Sequence, residues 1–186
     1  MKSIVVKENE SLVLPILWTG DEPEISYDVV LSEKGASISI LGLLLGKEDA
    51  ALQIKIHVTH AAENTKSEVI LKGALTDAAK VNFEGLVKIK HGAIGTNAWL
   101  AAHLLLLSDK SKGRAIPSLE ILENDIKAGH ATTVGRINDI EMFYLISRGL
   151  SRKAAKQLVV QGFLASILER LPTKLQQKAK KYVQFP

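Results

Sequence analysis

The chain has 186 residues, of which 46% are hydrophobic and none is cysteine, with 24 lysine and arginine side chains against 20 aspartates and glutamates. That length suits one globular domain able to bury roughly 70% of its unfolded surface, which excludes a disordered tail or a bare linker. Without cysteine there is no disulfide, thiolate nucleophile, zinc ribbon or cysteine-ligated cluster held by this chain alone.

No apolar run approaches the ~20 residues that a membrane-spanning helix needs. The longest are "LGLLLG" at 41–46 and "LLLL" at 104–107, and "MKSIVVKENESL" lacks the apolar core of a signal peptide, so a cytoplasmic protein with no membrane partner is expected. The net charge of +4 is unevenly placed. Residues 1–150 hold 16 basic and 19 acidic side chains, whereas 151–186 hold 8 basic and 1 acidic. A basic C-terminal module follows a mildly acidic body.

In chain order, "ASISILGLLL" shows alternation through Ile38, Ile40 and Leu44. In "ALQIKIHVTH", Leu52, Ile54, Ile56 and Val58 alternate with Gln53, Lys55, His57 and Thr59, the period of two expected of a strand with one buried face. "KVNFEGLVKIK" repeats it through Val81, Phe83, Val87 and Ile89. Turn signals separate such runs: "TGDEP", "SEKG", "GKED", "AENTK", "LTD" and "KHGA". The body is strand-rich to about residue 122.

After Ile137 the period becomes helical. Asn138 with Glu141 reads as a capping box, Ile140, Phe143, Tyr144 and Ser147 form one stripe, and Gly149 stands where a C-cap glycine belongs, so a helix is predicted over 139–148. Ser151 caps a second predicted helix, with an apolar face of Ala155, Leu158, Val159, Gly162, Phe163, Ile167 and Leu171, ended by Pro172. Thr173 opens a short basic helix. Strands in one block and helices in another argue against alternating βαβ units. Periodicity alone leaves a sandwich, a barrel and a β-solenoid open, and strand starts that recur every ~11 to 20 residues favour stacked coils.

Four blocks, in order, carry a resemblance: "THAAENTKSE" (59–68), "LLLLSDKSKGRAIPSLEI" (104–121), "DIKAGHATTVG" (125–135) and "FYLISRGLS" (143–151). Residues 57–151 resemble the core of the SufB/SufD family of iron–sulfur cluster assembly proteins. The resemblance implies a right-handed parallel β-helix, here 1–137, followed by a C-terminal α-helical subdomain, 138–186. It implies a non-enzymatic scaffold that pairs through its β-helix with a copy of itself or a SufB-like paralogue and docks a SufC-type ABC ATPase. Phe143, Tyr144, Arg148 and Gly149, with the helix over 152–170, are the candidate ATPase-docking surface.

The resemblance also points to His130 as a candidate ligand for transient iron or an iron–sulfur cluster, shared with a partner subunit; read by itself, His130 is a turn histidine. The positions matching a SufB-branch cysteine and glutamate are Ala102 and Ala131, and the SufD-branch cysteine position is Ala128. None of these alanines can bind iron. The histidine remains, as His130, so the chain resembles SufD more than SufB and keeps only part of that site, and about 56 residues before the recognisable core suggest a minimal form. A cluster-free adaptor is the alternative reading, and a β-solenoid carbohydrate-active enzyme or acyltransferase a weaker one.

Other features read as structural. His57 and His60 point to opposite faces of one strand, and His91 and His103 are isolated. Glu120, Glu123 and Asp125 form an acidic edge before His130 with no base or nucleophile beside it. "GAIGTN" (92–97) lacks the lysine and hydroxyl of a phosphate loop. Lys174, Lys178, Lys180 and Lys181, with only Tyr182 and Phe185 interleaved, make a solvated basic face rather than a nucleic-acid site.

Overall fold

A computed structural model describes residues 1–183; Phe185, the second aromatic of the basic tail, lies outside the described residues. Ten strands, β1 (Lys2–Val6), β2 (Ser11–Trp18), β3 (Glu24–Leu31), β4 (Ser37–Gly46), β5 (Ala51–His60), β6 (Lys66–Leu75), β7 (Lys80–Ile89), β8 (Thr96–Leu106), β9 (Lys112–Ile121) and β10 (Ile126–Arg136), precede three helices. The helices are α1 (Asp139–Ser147), α2 (Arg152–Leu168) and α3 (Thr173–Lys180). Successive strands alternate between two parallel sheets, β1-β3-β5-β7-β9 (the odd sheet) and β10-β8-β6-β4-β2 (the even sheet), giving a β-solenoid of about five coils.

The two-residue period places Leu52, Ile54, Ile56 and Val58 inside, stacked on Val81, Phe83 and Val87 of the next coil and facing Val69, Leu71 and Leu100 of the even sheet. Polar ladders run along the outside: Ser39 Oγ donates to Glu68 Oε2 at 3.0 Å and Asn82 Nδ2 to Gln53 Oε1 at 2.7 Å, each pair 29 residues apart in sequence. At one corner of each coil, Asn9, Gly35, Asn64 and Gly95 all adopt left-handed backbone (φ 53°, 72°, 55° and 71°). Their N–H groups donate to the carbonyls of Lys34, Glu63, Ile94 and Asp125 in the next coil. Glycine and asparagine tolerate this conformation best, which is why the turn signals fall there.

β4 breaks the alternation because both its faces are buried. Ile38, Ile40 and Leu44 fill the solenoid, while Leu41, Leu43 and Leu45 pack outward beneath Val160, Leu164, Ile167 and Leu171. The "LGLLLG" run records this double burial. α2 therefore buries Ala155, Val160, Leu164 and Ile167; the predicted face is corrected at Leu158, which is exposed, because the sheet underneath selects the stripe. Lys72 Nζ of β6 donates to the Phe163 carbonyl at 2.7 Å and lies over its ring, and Arg170 pairs with Glu68, so the helices are tied to the sheet by polar contacts as well.

Each sheet has two edges. β1 is only five residues long, and β2 and β9 carry Pro15 and Pro117, which lack an N–H and blunt an edge against further pairing. β10, with 11 residues, has no proline.

Candidate functional site

β10, whose edge is unblunted, leads into α1 through two residues of chain. β10 pairs with β8 in parallel, from Ile126↔Thr96 to Arg136↔Leu106, and among the described residues no further strand pairs with its other side. His130 stands at the middle of β10, exposed. The expectation of a turn histidine is corrected, as is the end of the strand-rich body near residue 122. The small residues Ala128, Gly129 and Ala131 hide the alternation.

Strand pairing settles which residues accompany His130. Its Cα partner is Leu100, a core residue, so His130 shares the inward face of the open coil with Ile126, Ala128, Thr132 and Val134. Ala102, fully buried, is the partner of Thr132 on the same face, whereas Ala131 pairs with Ala101 and faces outward. Two of the three alanines thus line the histidine's own face and the third does not. On the outer side, Trp99 lies over Gly129, where a Cβ would come within 2.6 Å of the indole, and Trp99 is 43% exposed. Sequence reasoning passed over Trp99; its signal is the glycine at its partner position, legible only once the register is known.

The remaining candidates separate cleanly. His60 is buried, with Nδ1 2.7 Å from Thr65 Oγ1 and Nε2 2.8 Å from Ser67 Oγ, and burial lowers its pKa to about 4. His57 faces the outside of the same strand. His103 Nδ1 lies 2.9 Å from Thr133 Oγ1, and burial, then the positive charge of Lys72, lowers its pKa. Glu120 pairs with Lys88 at 2.6 Å. Glu123 accepts from the N–H groups of Asn124 and Gly92, which hold its carboxyl below the usual range. These carboxylates brace a corner and an outer sheet face. Among the described residues, no three histidine, aspartate or glutamate side chains are grouped to hold a metal ion.

α1 is well capped and poorly covered. Asn138 Oδ1 accepts from Ile140 N–H at 2.8 Å, and at the other end Gly149 (φ 93°) donates to the Ile146 carbonyl and Leu150 to that of Leu145, the Schellman arrangement. Met142 is its one buried side chain among the described residues. Ile140 (77% exposed), Phe143 (74%) and Tyr144 (55%) point to solvent, with the Arg148 guanidinium 5.3 Å from the Tyr144 ring centre. The predicted stripe exists, but it faces away from the core. On α2 the sheet takes one side, leaving Leu158 and the N-terminal Arg152 and Lys153 exposed.

These features define a parallel β-solenoid with helices packed on the outer face of its even sheet and, among the described residues, one long proline-free strand edge left open. The chain belongs to the SufBD family of iron–sulfur cluster assembly: the SUF system FeS cluster assembly SufBD core domain matches residues 18–163. It is 36% identical over 130 residues to the iron–sulfur cluster assembly protein SufD of Bacillus subtilis (strain 168), covering 70% of this chain and 30% of that protein. Two SufBD family proteins of Mycobacterium tuberculosis (strain ATCC 25618 / H37Rv) are also similar. One is 34% identical over 165 residues (84% of this chain, 41% of that protein) and the other 29% over 154 residues (82% and 18%). The chain spans less than half the length of these relatives. Among the described residues, no helix is long and apolar enough to cross a membrane.

Proposed function

We propose that this chain is a non-enzymatic, SufD-like scaffold subunit that holds a SufC-type ABC ATPase on its C-terminal helices and pairs through β10 with a copy of itself or a SufB-like paralogue. The observation that carries the reading is an open, proline-free edge bearing exposed His130, followed two residues along the chain by a helix that leaves Ile140, Phe143 and Tyr144 uncovered. A free edge is a template for another strand, and a cluster of exposed aromatic and aliphatic side chains is a docking surface. Arg148, laid against Tyr144, adds a cation to its rim.

Iron is the substrate of this assembly. Imidazole is a borderline ligand suited to it, and one histidine is one ligand, so the others come from the paired chain. Were two copies to pair antiparallel about the middle of β10, their His130 residues would be diagonal neighbours on the inner face. Ala102 and Ala128 favour a second reading, an adaptor that binds partners without iron, because they place inert side chains on the histidine's own face. The proposed setting is the cytoplasm.

Co-purification with the SufC-type ATPase of the same genome, followed by iron and sulfide analysis under anaerobic conditions, tests both readings. Association with iron that falls on His130→Ala supports the scaffold. Association with unchanged or absent iron supports the adaptor, and no association overturns the docking reading.

A further inference from the structure

A glycine inside a strand or helix costs conformational entropy and needs a reason. Of the 13 glycines, five take a positive φ and at six others an added Cβ would come within 3.0 Å of a neighbour. Gly135, in β10, and Gly162, midway along α2, have neither reason: φ is not positive, and a Cβ on either would meet no other part of the fold within 4 Å. Alanine at such an open place in a helix stabilises the free chain, so a missing side chain there serves something outside it.

Both glycines lie at one place. Gly162 lines a groove of about 430 Å³ between α1, α2 and the end of β10, together with Leu105, Ile137, Leu145, Leu158 and Val159. Gly135 is the Cα partner of that Leu105 and directly precedes Arg136, which also lines the groove. Leu158 is 48% exposed.

α2 departs from local expectation a second time. Its first turn carries Arg152 and Lys153 and no acid, although a helix N-terminus favours negative charge. Both are exposed, and among the described residues neither they nor Lys156 takes part in an ion pair. Arg152 and Lys156 line a hollow of about 200 Å³ that shares Arg136 and Ile137 with the groove. Of the acids beside them, Asp109 pairs with Arg136, and Asp139 and Glu141 sit in the first turn of α1, where they match that helix's own dipole. Unmatched cations on α2 thus adjoin an apolar groove.

We infer that the groove receives an amphipathic helix of a partner chain, its apolar side against Leu158, Val159 and the bare backbone at Gly162, and its carboxylates toward Arg152, Lys153 and Lys156. Glycine lets another backbone come close, and the walls supplied by α1 and α2 offer an extended peptide no ladder to join, whereas a helix brings its own main-chain hydrogen bonds. The partner is the ATPase that the C-terminal helices are proposed to hold, so this groove rests on that reading, and α2 at Gly162 joins the α1 stripe as a contact point.

Calorimetric titration of the full chain with the SufC-type ATPase of the same genome tests it. Gly162→Ala should raise the thermal midpoint of the free protein by about 2 °C, because the methyl has room and improves the helix. The same change should weaken ATPase binding about ten-fold by holding the partner off, and Gly162→Leu should abolish it. Arg152→Glu with Lys153→Glu should weaken it about ten-fold at low salt and by less at high salt. Binding indifferent to Gly162→Leu overturns the partner helix, and if Phe143→Ala weakens binding all the same, the docking reading survives. No binding by the wild type overturns both. Self-association, or capture by phosphatidylglycerol vesicles, that Gly162→Leu removes would assign the groove to a second copy or a lipid surface and overturn the partner helix.

Discussion

His60 offers the sharpest test of how the solenoid is held together. The ring is neutral in the fold: Ser67 Oγ–H donates to Nε2, Nδ1–H donates to Thr65 Oγ1, and the hydroxyls of Thr65 and Thr96 donate to the carbonyls of Ala62 and Ala93. Burial lowers its pKa from 6.5 to about 4, so between those values the unfolded chain binds a proton that the folded chain refuses. Stability from this group is complete above about pH 6.5, falls as the pH drops, and is fully lost below about pH 4. From about pH 7.5 to about pH 4.5 the loss is about 2–3 kcal/mol, at ~1.36 kcal/mol per pKa unit. Carboxylates also titrate in that range, so the comparison is with His60→Gln, which keeps a polar side chain and cannot titrate. Urea denaturation of both proteins at the two pH values should show the wild-type advantage shrinking by about 2–3 kcal/mol in acid. A wild-type advantage that stays constant would refute the neutral, buried imidazole.

Two further substitutions probe separate parts of the molecule. Phe143→Ala should leave the unfolding midpoint within about 0.5 kcal/mol of wild type, because the ring is 74% exposed, while weakening ATPase co-purification; unchanged association would remove Phe143 from the docking surface. Gly46→Ala should destabilise by about 1–3 kcal/mol in chemical denaturation, since the added methyl would lie 2.9 Å from both Ala79 Cβ and Leu75 Cδ2 and 3.0 Å from the Trp18 ring; an unchanged midpoint would show that this corner is loosely packed.

Family-specific residues and chemical residues prove to be different things here. "THAAENTKSE" supplies His60, Thr65 and Ser67 to a buried network, Asn64 to the left-handed corner ladder and Glu68 to the Arg170 pair, all of them structural duties. Gly46 and Gly129 look like turn or spacer residues in sequence. Their backbone angles are ordinary, and they are small because Trp18, Leu75, Ala79 and Trp99 occupy the space a side chain would need. A sequence shows that a glycine is present; only the packing across coils distinguishes a conformational need from a steric one.

Local patterns in the chain were enough for several conclusions. Alternation through Leu52–Val58 and Val81–Ile89 defined strands with one buried face, Asn138, Gly149, Ser151 and Pro172 bounded the helices, and the four motif blocks pointed to the family and its solenoid. These are legible because strand period, caps and turn residues act over a few positions. The tertiary structure alone decided that β4 is buried on both faces, that α2 buries Val160 and Leu164 and leaves Leu158 exposed, and that Ile140, Phe143 and Tyr144 face solvent. It also placed His130 on an open edge and brought Gly162 together with Leu105 in one groove. Each of those facts depends on residues about 30 or more positions apart, and a local pattern holds no record of which coil stacks on which.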